Sequence, residues 1–360
     1  MKNFIKNLEI ENFKSIKKAK LECEKINLFI GEPNVGKSNI LEAISLYGAL
    51  YSQDKQKFLS EFIRYNEFKD LFFDYDVKPL ITVKSVLGNA NINYKFNVDA
   101  YEFVYSIDDK LIKQIINTKS LAESKNLFDS FLKDNGGFKN VIMKPVYKHI
   151  GRNGFSEIDV NTELSPVKKY EFKSSTEFKN RFQQFLLPPY GENLATILQS
   201  IPSFTDEVAS LFEEYGLELV TFYNKQEFLF QKKMGRAVIQ HEYNLMADTL
   251  QRYIFHLAAI ESNKDSVILF EEPESHSFPS YILSLVNRIV NDESNQYFIT
   301  SHNTYLFNEI IERKIKETAV FYTYYENYET KFKKLTFDEL QEILDHGADI
   351  FLNLNWFENE

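Results

Sequence analysis

A single cysteine, a single tryptophan, nine prolines and twelve glycines are all that this 360-residue chain has of those types. The lone thiol, Cys23 in the polar stretch "KLECEKIN", excludes an internal disulfide framework and fits a reducing compartment. No apolar run approaches 18 residues, so no membrane-spanning helix and no membrane partner are expected. The opening "MKNFIKNLEIENFKS" has no hydrophobic region of the kind a secretory signal carries. The net charge of −10 argues against a globally basic coat for nucleic acid, although local basic patches remain. Internal repeats, low-complexity tracts and Gly/Ser linkers are also missing. What is present is 44% hydrophobic residues with 15% aromatics, enough for a large core and too much for a disordered chain. The expectation is a soluble, cytoplasmic protein of one large domain or two ordinary ones.

Hydrophobic periodicity then orders the chain. "LEIENF" alternates like a strand, "KINLFIG" is a short buried run ending in glycine, and "SNILEAISLYGAL" has helical spacing. "PLITVKSVLGNANINYKFNVDAYEFVYSID" reads as an antiparallel meander with turns near Gly88–Asn89 and Asp108–Asp109. "KDNGGFKN", residues 133–140, is a loop signal. "STEFKNRFQQFLLPPYGENLATILQSI" reads as a helix, a break and a second helix, and "LELVTFYNKQEFLFQKK" as a hairpin. "MADTLQRYIFHLAAIES" is amphipathic, with Leu250, Ile254, Leu257 and Ala258 on one face. "SVILF" and "QYFITS" are buried strands flanking the helix "SYILSLVNRIVND", and the tail from "TFDELQEILD" onward reads as mostly helical. The order predicts an α/β fold. One head spans 1–360, with a discontinuous core at about 1–50 and 236–325 and an insertion at about 51–235. The insertion is β-rich over about 80–108 and helical over about 173–215, and a helical tail covers about 335–360.

Two stretches carry chemistry. "GEPNVGKS", Gly31 to Ser38, has the G-x-x-x-x-G-K-[ST] spacing between a predicted strand and a predicted helix. Such a loop turns its backbone N–H groups toward phosphate oxygens, and the following helix N-terminus adds partial positive charge. Gly31, Glu32, Pro33, Asn34, Val35, Gly36, Lys37, Ser38 and Asn39 are therefore assigned to ATP. Lys37 is placed on the β- and γ-phosphates and Ser38 on Mg²⁺. "LFEEPESHSFP" puts Glu271 at the end of an apolar run with Glu272 beside it. Adjacent carboxylates repel, so a cation is expected between them and the phosphates. Glu271 becomes the metal acid, and Glu272 the base or water-positioning group.

With those residues in view, "LEIENFKSI", "GEPNVGKS", "VILFEEPESHSFPSYI" and "FITSHNTYLFNEI" together resemble the ABC-type ATPase head. The likeness is to the AAA-family ATPases of the overcoming-lysogenization-defect (OLD-like) group, relatives of SMC and RecF heads. "LLPPYGENLATIL" is similar to a G-x-N-L helix start of that group. The resemblance spans about residues 1–50 and 185–310. It implies a P-loop NTPase head with a mixed sheet, an antiparallel β subdomain and a helical insertion. It implies Mg-ATP as cofactor and an ATP-dependent dimer or higher homo-oligomer. It makes Glu271 the Walker B acid, Glu272 the catalytic glutamate and His302 the switch histidine, with Lys37, Glu272 and His302 forming the catalytic set. Ser275 and His276 fall near the dimer interface of such heads. The segment matching the signature helix is "MADTLQR", in which Ala247 and Thr249 replace the expected serine and glycine while Asp248, Gln251 and Arg252 fit. Asp248 is accordingly assigned to the partner's nucleotide. A β-branched residue resists conformations open to glycine, so the trans contact is either made differently or weak, and a plain core helix is the alternative. Gln53 and Gln56 lie in an exposed charged connection and do not supply a Q-loop glutamine.

Some members of the group carry a Toprim nuclease. Too few residues follow His302 for one, and no D-x-D occurs there, so an ATPase acting through a separately encoded effector is expected. Three basic clusters (Lys14, Lys17, Lys18 and Lys20; Lys232, Lys233 and Arg236; Lys331, Lys333 and Lys334) leave DNA or RNA open as a partner. The predicted function is a slow ATP-hydrolysing switch in bacterial defence or genome maintenance, and the alternative is a non-hydrolysing ATP-bound scaffold. No N-K-x-D motif supports a GTPase, and a transporter motor would rest on fold alone.

Overall fold

The computed structural model describes residues 3–52, 54, 56–134, 146–152, 165–175, 177–178, 180–222, 224–346 and 349–354. The chain opens with β1 (Asn7–Phe13), β2 (Ile16–Glu22) and β3 (Ile26–Ile30), followed by α1 (Lys37–Ile44). Then come β4 (Ile81–Ser85), β5 (Gly88–Lys95), β6 (Ala100–Ser106), α2 (Asp109–Ile116), α3 (Leu121–Asp134), β7 (Val146–Ile150) and β8 (Val167–Tyr170). Next are α4 (Leu194–Ser200), α5 (Pro202–Glu213), β9 (Glu218–Phe222), β10 (Glu227–Met234), β11 (Ala237–Glu242) and α6 (Asp248–Glu261). The last part holds β12 (Val267–Glu271), α7 (Pro279–Asn291), β13 (Gln296–Thr300), α8 (Thr304–Lys314), β14 (Thr318–Glu326), β15 (Glu329–Lys334) and α9 (Phe337–His346).

The central sheet runs β15-β14-β3-β13-β12-β8, parallel throughout except for β15. Strands covered on both faces are continuously apolar. The sequences "INLFI" and "VILF" meet that condition, with every one of those residues buried. On one face lie α4 to α9, contributing Leu198, Ile254, Leu257, Val286, Ile310 and Leu340. On the other face α1 is sandwiched against a six-stranded antiparallel sheet of order β2-β1-β4-β5-β6-β7. Phe29 of β3 stacks on Phe321 at 5.0 Å within that second core. A separate antiparallel sheet, β11-β10-β9, lies against α4 and α5. The whole is the mixed α/β P-loop NTPase architecture of an ABC-ATPase-like head.

Several local expectations are corrected. Among the described residues the first helix of "STEFKNRFQQFLLPPYGENLATIL" does not form, and helix begins only at Leu194. Its backbone finds other partners. Buried Asn193 donates from Nδ2 to the carbonyls of Phe182 and Phe185, both at 2.8 Å, and accepts from Leu187 N at 2.7 Å. The Tyr170 hydroxyl donates to Leu186 O. The β4–β5 turn falls at residues 86–87 rather than at Gly88–Asn89. A further turn at residues 96–99 leads into β6, and Asp108 caps α2, accepting from the N–H groups of Lys110 and Leu111, instead of closing a hairpin. The loop drawn at 133–140 starts inside α3, and its residues 135–140 lie outside the described residues, as do 355–360 of the tail. The core drawn at 1–50 and 236–325 differs from the sheet topology. β8 belongs to the central sheet, β1 and β2 belong to the antiparallel one, and β15 extends the central sheet past 325. The β14–β15 hairpin and the α2–α3 pair have no counterpart in the periodicity reading.

Candidate nucleotide and metal site

Parallel pairing brings the carboxyl ends of β3, β13 and β12 side by side, which is where ligands bind in open α/β sheets. β3 runs into the glycine-rich loop, β13 into Ser301–His302, and Thr300 pairs in register with Glu271. The loop is shaped by two glycines with no room for a side chain. A Cβ on Gly31 would lie 2.1 Å from Thr323 O, and one on Gly36 2.2 Å from Thr330 Oγ1, with φ of +148° and +97°. Residues from β15, from the β1–β2 turn and from α1 brace it. Thr330 Oγ1 donates to Val35 O at 2.7 Å, Ser15 Oγ lies 2.6 Å from Thr330 Oγ1, and Asn39 Nδ2 donates to Ser15 Oγ at 2.7 Å. Asn39 thus spends its amide on the support of the loop. Ser15 of "NFKSI" acquires a structural reason. Lys37, 6% exposed, donates to the carbonyls of Gly31 and Glu32 at 2.9 and 2.6 Å, and burial pulls its ammonium down to about 8.

A cavity of about 770 Å³ opens over this edge. It is lined by Pro33, Asn34, Gly36, Lys37, Ser38 and Asn39 of the loop, by Glu271, Glu272, Ser275 and His276 after β12, and by Thr300 and His302 after β13. Lys14, Glu42, Arg64, Glu171, Phe172, Arg252 and His256 complete the wall. Asp248 is not among the lining residues of its own chain. It starts α6, where it accepts from Arg252 Nε at 2.6 Å. Thr249 Oγ1 accepts from Phe278 N at 3.3 Å, tying the α6 start to that of α7.

The three glutamates of "EEPE" have separate surroundings. Glu271 ends β12. Burial works to raise its carboxyl, but Lys169, a hydrogen bond from Ser38 and the Arg64 guanidinium outweigh that and hold it below the usual range. Glu272 has φ of +45°, which turns it toward β13. Its amide donates to Thr300 O, its Oε1 lies 3.2 Å from His302 Nε2, and Ser275 Oγ donates to its Oε2 at 3.3 Å. Glu274 is buried, which raises its pKa. It accepts from Ser301 Oγ at 2.6 Å and from His302 N at 3.1 Å, so it tethers the segment that carries His302. Burial first, and then Lys37, lower the pKa of His302 against the opposing pull of Glu272.

The donor set suits a hard divalent cation. Ser38 and Glu271 offer oxygen only, and Mg²⁺ in phosphoryl-transfer sites takes one or two protein ligands and fills the rest with phosphate and water. Among the described residues no group of three or more His, Cys, Asp or Glu stands ready as a complete metal cage. The candidates Lys37, Ser38, Glu271, Glu272 and His302 meet in one cleft. Reading the sequence missed Arg64, Lys169, Glu42, Glu171, His256 and Glu274. Only Glu274 lay in a motif already in view. Glu42 lies one helical turn after Ser38 on α1, and the others come from segments that tertiary packing brings to the cleft.

A second cavity of about 740 Å³ adjoins the first through Lys14 and Arg64. The basic clusters themselves are largely neutralised: Lys18 pairs with Glu11, Lys20 with Glu9, Lys233 with Glu218 and Lys331 with Glu329.

Residues 1–307 match the family model described as AAA ATPase domain. The chain is 31% identical over 267 residues to the DNA replication and repair protein RecF of Caldanaerobacter subterraneus subsp. tengcongensis, covering 69% of this chain and 67% of that one. It is 24% identical over 350 residues to an ATP/GTP phosphatase of Helicobacter pylori, covering 87% of this chain and 89% of the relative. Among solved structures it is similar to an SMC head bound to the C-terminal winged-helix domain of ScpA. That likeness has 13% identity and a TM-score of 0.49, and it covers 94% of this chain and all of that one.

Proposed function

The chain belongs to the AAA ATPase domain family and is related to RecF, and from that premise we propose that it is a slow ATP-hydrolysing switch. In this reading two copies close around Mg-ATP and gate a separately encoded effector or a nucleic-acid process. The observation that carries the proposal is the meeting of Lys37, Ser38, Glu271, Glu272 and His302 at the carboxyl ends of three adjacent strands, with His302 Nε2 3.2 Å from Glu272 Oε1.

The roles follow from chemistry at those positions. Loop amides and Lys37 bind the phosphates. Ser38 and Glu271 would hold Mg²⁺, which when bound offsets charge on the β- and γ-phosphoryl oxygens. Glu272 orients a water for in-line attack and takes its proton, giving ADP and phosphate from ATP and water. His302, kept neutral by burial and by Lys37, donates a hydrogen bond to the transferred group without adding a second fixed charge. Glu274 holds the backbone that presents it.

The motifs shared with the OLD-like group support a setting in bacterial antiphage defence, and the relation to RecF supports genome maintenance. In either setting DNA or RNA is a candidate partner, as is a separately encoded effector. The scaffold reading has one observation in its favour: Asp248, proposed to reach a partner's nucleotide, is paired with Arg252 of its own chain. The deciding experiment measures phosphate release and ATP binding for the wild type and for Glu272→Gln. Hydrolysis by the wild type, lost in a variant that still binds ATP, supports the switch. ATP binding with no turnover in either leaves the scaffold.

A further inference from the structure

Glu271 has more cationic partners than a metal acid needs. Its two oxygens are held by different residues: Arg64 Nη2 lies 2.9 Å from Oε1 and Lys169 Nζ 3.3 Å from Oε2. The two cations differ in their freedom to leave. The Lys169 side chain is 2% exposed and projects from β8, where Lys169 is in register with Leu269 of β12. Its ammonium also donates to Phe62 O at 3.1 Å. A buried ammonium parted from its carboxylate would be stranded without water, so Lys169 stays. The Arg64 side chain is 69% exposed, and its Nε already donates to buried Glu42 at 2.9 Å. Arg64 therefore keeps a partner when Nη2 releases Glu271.

We propose that Lys169 is the positioning residue of the metal acid: it reserves Oε2 of Glu271, leaves only Oε1 to be exchanged between Arg64 and the metal, and raises the Mg²⁺ concentration at which the site loads. The proposal rests on the reading of Glu271 as the metal acid. Two effects of Lys169 oppose one another. Its charge repels a divalent cation a few ångströms away, in a partly buried place where water screens poorly. Its hydrogen bond stops the carboxylate from rotating, which favours metal binding by the freedom of a single side-chain torsion. The charge term is the larger. As a result the cation is admitted together with the negative charge of the phosphates, and metal loading is coupled to nucleotide.

The test compares the wild type with Lys169→Met, which keeps the stem and loses the charge, and Lys169→Arg, which keeps the charge. ATP binding is followed by calorimetry without metal and across Mg²⁺ concentrations, and Mn²⁺ occupancy in the presence of ATP by electron paramagnetic resonance. Lys169→Met is expected to lower the half-saturating metal concentration about tenfold with no gain in metal-free ATP affinity, and Lys169→Arg to keep the wild-type requirement. An unchanged or higher requirement in folded Lys169→Met overturns the proposal. If Lys169→Met does not fold, Arg64→Gln probes the exchanging side: a lower requirement supports the proposal and an unchanged one overturns it. A wild type that binds no ATP at any metal concentration overturns the ATPase reading, and this inference falls with it.

Discussion

Neighbouring residues of one type have different chemistry here because their environments differ. Glu271 faces a serine and two cations, Glu272 faces His302, and Glu274 is buried against backbone. Lys37 is the cation at the centre of the proposed phosphate loop, so Lys37→Ala is expected to weaken ATP binding at least about a hundredfold, measured by calorimetry. Unchanged affinity would remove the phosphate-loop assignment. Glu272→Gln keeps the shape and loses the base, and hydrolysis should fall by about 10²-fold or more with ATP still bound. A mutant that turns over at the wild-type rate would show that Glu272 is not the base. His256 supplies a pH dependence. It is buried between Phe255 and Phe270, and burial pushes it from 6.5 to about 4. The native state therefore binds fewer protons than the unfolded chain between those values. The contribution of His256 is fully present above pH 6.5 and is lost as pH falls toward 4, by about 3 kcal/mol. Urea unfolding at pH 7 and pH 5 should show a smaller pH effect in His256→Gln than in the wild type, and equal slopes would contradict this.

At the scale of elements, strand order does more than strand composition. β12 and β13 expose their carboxylate and histidine at one edge because both pair in parallel with neighbours of the same direction. The stretch between β8 and α4 shows the converse, a segment with helical spacing whose described residues side chains hold in irregular structure. Asn193 makes three hydrogen bonds to that backbone, all shorter than 3 Å. Asn193→Ala strands three main-chain groups, two carbonyls and an N–H, and should cost about 3 kcal/mol in chemical denaturation. A change under about 0.5 kcal/mol would mean the segment finds other partners.

At the scale of the whole molecule, the cleft presents loop, glutamates and histidine on one surface, while Asp248 and the α6 start lie outside that chain's own lining. If a second copy completes the site, specific ATPase activity rises with protein concentration. Asp248→Arg should then reduce that activity while leaving the ATP affinity of the single chain intact. Concentration-independent turnover, together with a monomeric mass for ATP-bound Glu272→Gln, would exclude the dimer.

The sequence alone determined the local grammar. Gly31 to Ser38 reads as a phosphate loop because its spacing encodes backbone turns and a helix start that depend on neighbours in the chain. "VILFE" is a buried strand with an acid at its end because burial on both faces requires an apolar run. Those are short-range constraints, legible residue by residue. Tertiary structure alone decided which distant groups meet the acid. β8 lies next to β12 by hydrogen bonding across about a hundred residues of chain, and only that pairing brings Lys169 to Glu271. Arg64 reaches the same carboxylate because Phe58, Leu59, Phe62 and Ile63 are buried in the core between the two sheets. Among its described residues the "EFKNRFQQF" stretch forms no helix, for the same reason. Helical spacing is a local preference, and the buried asparagine just before α4 offers this backbone a better set of partners.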